Sequence, residues 1–247
     1  DICMIAPERD FPHPTVMPAY VLFSGGKDSF AVAKALELED RLLGCIALET
    51  GISVPDWKCS VIDICKTQSW PVQFFKTTDS YERVVKKYGF PGPGQHGLIM
   101  NYLKGRAIRV VKQSLPGAVL ASGVRAEEST RRALSTKPIS DFEGVKIIAP
   151  LYDRTTEWVW NFVREAGYER PRAYSTLQIS GDCLCGAFAR PDEREAIRFW
   201  YPEVEAKIVK IEKQMPIGHP RSVWGWGCNR KRAGKKGAEA VVCVECE

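Results

Sequence analysis

A six-residue run near the start of the chain carries the residue types that a phosphate-binding loop needs. It reads Ser24-Gly25-Gly26-Lys27-Asp28-Ser29 and is named the glycine loop. Two adjacent glycines let the backbone close around a phosphate group, because no Cβ atom intervenes. The serine hydroxyls can donate hydrogen bonds, and the lysine adds positive charge. The run therefore predicts a site for nucleotide phosphates, although its spacing is neither that of a Walker A loop nor that of a dinucleotide-binding loop.

The segments on either side of the glycine loop strengthen this prediction. Residues 19–23 form a short apolar run typical of a buried strand, and residues 30–38 have the apolar spacing of a helix. A helix that begins directly after such a loop offers unpaired N–H groups and the positive end of its dipole. Asp28 would repel phosphate, so we expect it to cap the helix or to be linked to Mg²⁺.

The elements that must position this loop alternate between strands and helices. The expected helices cover residues 30–38, 56–70, 79–88 and 98–113. The expected strands cover residues 19–23, 42–48, 72–75, 118–122 and 146–149. This alternation predicts an α/β fold with a five-stranded parallel sheet covered by helices on both faces. Ligands of such sheets bind beyond the carboxyl ends of the strands.

The pattern changes after Pro150, where residues 155–166 and 191–215 look helical and cysteines accumulate. We therefore expect an N-terminal extension (residues 1–18), a nucleotide-binding core (residues 19–150) and a helical, cysteine-bearing C-terminal region (residues 151–247). The hydrophobic fraction of 45% over 247 residues is enough for a substantial core.

Charge and hydropathy narrow the class of protein. The net charge of +5 suits an anionic substrate and permits nucleic acid as a partner. Residues 229–236 hold five cations and form either a solvated loop or a segment that contacts phosphate. No apolar run approaches the roughly 20 residues of a membrane span, and residues 1–18 lack the pattern of a signal peptide. We expect a cytoplasmic protein.

Four segments in this order resemble the PP-loop ATP pyrophosphatase superfamily, and within it the phosphoadenylyl-sulfate (PAPS) reductase-like family. The resemblance covers about residues 20–187, and Arg154 stands where the family usually has tryptophan. The segments are the glycine loop, Glu49-Thr50-Gly51 with Val54-Pro55, the G-x-R-x-x-E-S-x-x-R element from Gly123 to Arg132, and Pro150-Leu-Tyr-Asp153 with Glu157-Trp-Val-Trp160. The family includes the ATP pyrophosphatases of DNA phosphorothioation.

The resemblance implies an adenine nucleotide α-hydrolase-like, Rossmann-like fold that binds ATP or PAPS, with Mg²⁺ on the phosphates. It implies catalytic roles for Lys27, Asp28, Arg125 and Arg132, the two arginines meeting phosphate or sulfate oxygens. Arg132 could instead be a surface cation. Glu128 could cap the following helix or orient the arginines, and Glu49 could contact ribose or adenine groups or simply close a strand. The full set of expected nucleotide contacts is Ser24, Gly25, Gly26, Lys27, Asp28, Ser29, Glu49, Thr50, Lys104, Gly123, Arg125, Glu128 and Ser129.

Five cysteines in the last third of the chain are candidate metal ligands. They are Cys183, Cys185, Cys228, Cys243 and Cys246. Nine cysteines without an export signal argue against a disulfide framework. Relatives with a G-C-x-x-C element at this place include proteins that bind a [4Fe–4S] cluster, and a Cys₄ zinc site or free thiols remain as alternatives. Trp224 and Trp226 either stack a base or pack in the core.

The function that this resemblance favours is adenylation of a substrate by ATP with release of pyrophosphate, in support of sulfur transfer, with a nucleic acid as the expected acceptor. One alternative is reduction of a sulfonucleotide, either PAPS or its desphospho form. The Glu-Cys-Gly-x-His motif of classical PAPS reductases is missing, which speaks against that alternative. Another alternative is a nucleotide-binding subunit without turnover. Expected partners are a sulfur-donor or redox protein and a second copy of the chain.

Overall fold

The computed structural model describes residues 17–77, 79–128 and 137–227. Its centre is a six-stranded sheet with the strand order β3-β2-β1-β4-β6-β5. The strands are β1 (Ala19–Leu22), β2 (Leu42–Glu49), β3 (Val72–Lys76), β4 (Leu120–Ala121), β5 (Ile139–Phe142) and β6 (Val145–Ile148). All neighbouring strands pair in parallel except β5, which is antiparallel to β6. The α/β fold and its five parallel strands are confirmed.

The sixth strand is the addition that the sequence analysis did not include. Strand β5 turns back into β6 through Glu143 and Gly144, whose φ angles are 52° and 80°. Two consecutive positive φ angles are typical of the tight turns that join antiparallel strands. The hairpin covers the edge of the parallel sheet next to β6.

Helices cover both faces of the sheet and continue beyond it. They are α1 (Lys27–Leu38), α2 (Trp57–Thr67), α3 (Tyr81–Tyr88), α4 (His96–Met100), α5 (Arg106–Ser114), α6 (Thr156–Glu165), α7 (Arg172–Leu177), α8 (Glu193–Trp200) and α9 (Pro202–Lys213). A π-helical turn, Asn101–Gly105, joins α4 to α5, so the helix predicted over residues 98–113 has three parts. The helix predicted over residues 191–215 is interrupted at Tyr201, between α8 and α9. Tyr201 precedes Pro202, and the residue before a proline disfavours helical geometry.

The two faces of the sheet bury separate hydrophobic clusters. The smaller cluster joins α5 to the sheet through residues such as Ile108, Leu22 and Ile46. The larger one contains Phe30 of α1 and also side chains from every helix after residue 150, from α6 to α9. The C-terminal helices therefore share a core with the sheet, and the domain boundary near Pro150 stays a prediction.

Within the described ranges, every helix is too short or too polar to cross a bilayer.

Candidate nucleotide-binding site

The glycine loop connects the carboxyl end of β1 to α1, as predicted, and all six of its residues are buried. Gly25 has a φ angle of +86°, a conformation that residues other than glycine rarely adopt. Gly26 is the N-cap of α1 and has extended backbone geometry. Since the cap position belongs to Gly26, the expectation that Asp28 caps the helix is wrong.

The two serines of the loop stabilise its shape from within. The Ser29 hydroxyl donates to the Gly26 carbonyl oxygen at 2.9 Å, and the Ser24 and Ser29 hydroxyl oxygens lie 3.2 Å apart. The Gly26 N–H donates to the Ser24 hydroxyl oxygen at 3.3 Å. These contacts fix the turn, so the serines act on the loop itself before any ligand is considered.

Asp28 lies at the centre of a buried charge cluster at the start of α1. Its Oδ2 accepts a bond from Lys27 Nζ at 2.8 Å, and its Oδ1 accepts a bond from Arg125 Nε at 2.8 Å. Lys27 Nζ also lies 5.5 Å from the ring centroid of Trp160. Because Arg125 also pairs with Glu127, two carboxylates balance the two cations of this cluster.

Arg125 directs its whole guanidinium group toward protein groups. Besides Asp28, it donates from Nη1 to Glu127 and to the Arg154 carbonyl oxygen, both at 3.2 Å, and from Nη2 to Thr156 Oγ1 at 3.1 Å. The side chain is fully buried. In this arrangement Arg125 joins the β4 exit, the segment before α6 and the glycine loop, so contact with a phosphate or sulfate oxygen stays a prediction.

Gly123 makes this arrangement sterically feasible. A Cβ atom at this position would lie 2.9 Å from the carbonyl carbon of Asp28 and 3.1 Å from the Ser29 nitrogen. Such distances are too short for a non-bonded contact, so only glycine lets the chain after β4 approach the first turn of α1 this closely. The glycine of the G-x-R element is therefore a packing requirement of the loop.

A small pocket lies at the same edge of the sheet, with a cavity volume of about 20 Å³. Its polar lining consists of Ser24, Lys104 and Asp182, and its apolar lining comes mainly from β1 and β2. Lys104 Nζ donates to Asp182 Oδ2 at 2.7 Å, and both side chains are buried. Lys104 belongs to the π-helical turn, a feature that often occurs at functional sites. Lys104, a predicted nucleotide contact, thus lies beside the glycine loop and is paired with the carboxylate of Asp182.

The remaining predicted contacts are spread along this edge. Glu49 pairs with Lys58 at 3.0 Å, Thr50 donates to the Asp182 carbonyl oxygen at 2.8 Å, and Glu128 accepts from the Arg125 N–H at 3.4 Å. Thr50 thereby connects the end of β2 to the segment that carries the first cysteine pair. Ser129 and Arg132 lie outside the described residues.

Cys183 and Cys185 directly follow this segment. A hydrogen bond with Cys185, together with burial, raises the pKa of the Cys183 thiol well above its ordinary value. In the part of the chain that the structure describes, no group of three or more histidine, cysteine or acidic side chains could hold a metal. Of the five predicted metal ligands, the structure describes Cys183 and Cys185, and Cys228, Cys243 and Cys246 lie outside the described residues.

Trp224 and Trp226 pack rather than present a stacking face. Trp224 is buried, and its indole N–H donates at 2.8 Å to the carbonyl oxygen of Leu184, the residue between Cys183 and Cys185 in the sequence. The Trp226 indole N–H donates to the Phe90 carbonyl oxygen at 2.7 Å. The packing alternative is therefore the one that the structure supports.

Several residues that the sequence analysis did not single out also contact the glycine loop. The Trp57 indole N–H donates to the Ser24 carbonyl oxygen at 2.7 Å, and the Tyr168 hydroxyl donates to the Gly25 carbonyl oxygen at 2.8 Å. The Lys27 N–H donates to the Tyr174 hydroxyl oxygen at 3.3 Å. The two tyrosines lie more than 140 positions from the loop, and no local pattern marks them.

Of the comparisons with known proteins, the one with solved structures finds matches. No family model matches the sequence, and no curated protein is significantly similar to it. Among solved structures, PAPS reductase from Candida auris in a phosphate complex has a TM-score of 0.49 and 16% identity, over 67% of this chain and 80% of that chain.

Two further solved structures are flavin-nucleotide enzymes. Yeast FAD synthetase in complex with FAD has a TM-score of 0.45 and 12% identity, over 85% of this chain and 76% of that one. FMN adenylyltransferase from Candida glabrata, with FMN and an ATP analogue, has a TM-score of 0.40 and 12% identity, over 59% of this chain and 47% of that one. All three TM-scores are below 0.5.

Proposed function

We propose that the chain is a PP-loop ATP pyrophosphatase that transfers the adenylyl group of ATP to an acceptor and releases pyrophosphate. The observation that carries the proposal is the glycine loop, which ends β1 and begins α1 with Lys27 and the first-turn amides at the carboxyl edge of the sheet. This is the edge at which parallel α/β sheets bind their ligands. The pocket lined by Ser24 and Lys104 opens beside it.

In this reaction the acceptor attacks the α-phosphorus, the bond to the bridging oxygen of the β-phosphate breaks, and pyrophosphate leaves with the electron pair. The acceptor proton passes to solvent. Loop amides and Lys27 bind the departing pyrophosphate and stabilise the charge that develops on it. Asp28 and Arg125 are positioning residues, because their bonds hold Lys27 and the first turn of α1 in place.

Mg²⁺ would bind to this site through the phosphates of ATP. Both oxygens of Asp28 accept bonds from cationic side chains, which makes this carboxylate a poor ligand for the metal. Mg²⁺ commonly keeps several waters and binds through substrate phosphates. We therefore assign it no ligand among the side chains of the glycine loop.

The decisive experiment measures pyrophosphate release from ATP by the wild type and by Lys27→Ala. We expect Lys27→Ala to lower kcat/KM by at least tenfold, because a charged contact to the leaving group is lost. Lys34→Ala is the matched control, since Lys34 lies in the same helix and pairs with Glu37. Absence of nucleotide binding in the wild type would overturn the proposal.

A second candidate function is reduction of a sulfonucleotide, and the position of the cysteines favours it. Asp182 lines the pocket beside the glycine loop, and Cys183 is the next residue. After losing its proton to solvent, Cys183 could attack the sulfur of bound PAPS, so that the bond from sulfur to the phosphate oxygen breaks, adenosine 3′,5′-bisphosphate leaves and a cysteine S-sulfonate forms. Thioredoxin thiols would then reduce the S-sulfonate and release sulfite. Consumption of PAPS in the presence of thioredoxin, without pyrophosphate release from ATP, would select this function.

Sulfur transfer and a [4Fe–4S] cluster form the finer part of the proposal. Cys183 and Cys185 would supply two thiolates, and such a cluster would hold sulfur or carry electrons. Trp224 contacts the carbonyl oxygen of Leu184, which lies between Cys183 and Cys185 in the sequence. Cys228 comes four residues after Trp224, and four residues of extended chain span at most about 14 Å. Cys228, Cys243 and Cys246 are therefore the candidates for the other two ligands.

Iron and sulfide analysis of protein purified without oxygen tests the cluster. We expect both elements in the wild type and a loss of both in Cys183→Ser, whereas zinc without sulfide would make the site structural. Incubation with ATP, a labelled sulfur donor and either DNA or RNA tests the acceptor. Label in neither nucleic acid would remove that part of the proposal.

A further inference from the structure

Tyr174 places a hydroxyl group at the start of α1. Its oxygen accepts a bond from the Lys27 N–H at 3.3 Å, which is longer than the usual 2.9–3.0 Å for such bonds. Lys27 is the first residue of α1, so its N–H has no partner within the helix. The tyrosine oxygen therefore lies where a phosphate oxygen bound to this amide would have to come.

The segment that carries Tyr174 is fixed relative to the loop from two sides. Tyr168 donates to the Gly25 carbonyl oxygen at 2.8 Å, and its ring packs against Phe30 with 4.8 Å between centroids. At α7, the Thr176 hydroxyl and the Tyr201 hydroxyl lie 2.9 Å apart. Tyr174 thus stands at the loop in a defined position, although it comes from the C-terminal region of the chain.

We propose that Tyr174 is a further nucleotide-binding residue, which donates its hydroxyl proton to the phosphate oxygen that accepts the Lys27 N–H. A tyrosine hydroxyl can both donate and accept, so it can exchange the present bond for one to the ligand. A charged acceptor makes this bond shorter and stronger than the present one. The inference rests on the proposed function, since it requires phosphates at the glycine loop, but it holds for ATP and PAPS alike.

Calorimetry with three ligands tests the inference on the full chain. The ligands are inorganic pyrophosphate, a non-hydrolysable ATP analogue and adenosine. We expect Tyr174→Phe to weaken the binding of pyrophosphate and of the analogue about tenfold, as for the loss of one hydrogen bond to a charged group. Adenosine affinity should not change, because adenosine has no phosphate. In turnover, KM for ATP should rise by the same factor while kcat stays nearly constant.

Ser175→Ala is the matched control, because it removes an exposed hydroxyl next to Tyr174 whose bond, to the Arg172 carbonyl oxygen at 2.8 Å, stays within α7. It should leave all three affinities unchanged. Pyrophosphate binding by Tyr174→Phe that equals or exceeds that of the wild type would overturn the inference while the proposed function stands. Failure of the wild type to bind pyrophosphate and the analogue would overturn both.

A measurement on the wild type covers the case in which Tyr174→Phe does not fold. Tetranitromethane nitrates accessible tyrosines, and the modified residue can be located by mass spectrometry. Pyrophosphate should slow the nitration of Tyr174 several-fold, and adenosine should not. An unchanged rate with saturating pyrophosphate would contradict a contact between Tyr174 and the ligand.

Discussion

Arg125 Nε and Asp28 Oδ1 lie 2.8 Å apart in an ion pair whose two side chains are both fully buried. The pair connects the chain after β4 with the first turn of α1, across 97 positions of sequence. A buried pair of this kind contributes little net stability, because desolvation offsets the attraction, but loss of one partner is costly. Its main consequence is therefore geometric: it fixes the glycine loop against the adjacent strand.

Replacing Arg125 should destabilise the protein strongly. Arg125→Met leaves Asp28 buried without its second cation, and we expect the free energy of unfolding to fall by about 3–5 kcal/mol. Denaturant unfolding measures this change. Arg109→Met is the control, because the Arg109–Glu143 pair is exposed and should contribute about 0–1 kcal/mol. Equal losses in the two variants would contradict the buried role of Arg125.

A methyl group at Gly123 should disturb the glycine loop. Gly123→Ala forces its Cβ against the backbone of Asp28 and Ser29, and overpacking of this kind costs about 1–3 kcal/mol. We expect pyrophosphate binding to weaken together with stability, as measured by calorimetry and thermal unfolding. Gly94→Ala is the control, since among the described residues, its two chain neighbours aside, no atom lies within 4 Å of the Cβ that it adds. Unaltered pyrophosphate binding in Gly123→Ala would show that the loop tolerates the displacement.

The buried Lys104–Asp182 pair should respond differently to single and double replacement. Asp182→Leu removes the buried carboxylate that faces the Lys104 ammonium group and should cost about 3–5 kcal/mol, whereas Lys104→Met combined with Asp182→Leu should restore much of this loss. Denaturant unfolding of the two single variants and the double variant measures the coupling. Lys58→Met, which breaks the more exposed pair with Glu49, should cost about 0–1 kcal/mol. Additive losses in the double variant would contradict the coupling.

Acid should weaken the contact that holds Trp224. Burial acts to raise the pKa of Glu212, but bonds from Arg194 and from the Trp224 N–H outweigh it and lower the pKa below its ordinary value. A carboxyl group whose folded pKa is lowered stabilises the protein above its unfolded pKa of about 4.3, and this contribution is lost as the pH falls through the folded pKa.

Unfolding experiments between pH 7 and pH 3 check this prediction. The free energy of unfolding should fall less steeply below about pH 5 in Glu212→Gln than in the wild type. Glu195→Gln, at an exposed position of α8, should behave like the wild type. Identical pH profiles for wild type and Glu212→Gln would rule out the assigned linkage.

The sequence by itself determined the strands, most helices and the position of the glycine loop. These features depend on local patterns, namely apolar runs, helical spacing and adjacent glycines, which neighbouring residues establish. Strand β5 was not predicted, because its sequence, Ile-Ser-Asp-Phe, has few apolar residues. The π-helical turn was not predicted, because apolar spacing of about 3.6 residues does not distinguish such a turn from the α-helices on either side.

Only the tertiary structure decided which side chains meet at the loop. Arg125 was expected to face a ligand, yet its guanidinium binds Asp28 and groups near α6, because burial requires each donor to find a partner. Tyr174 reaches Lys27 across 147 positions, and Lys104 reaches Asp182 across 78. Contacts of such separation depend on how the helices pack on the sheet, and no spacing within the sequence encodes that packing.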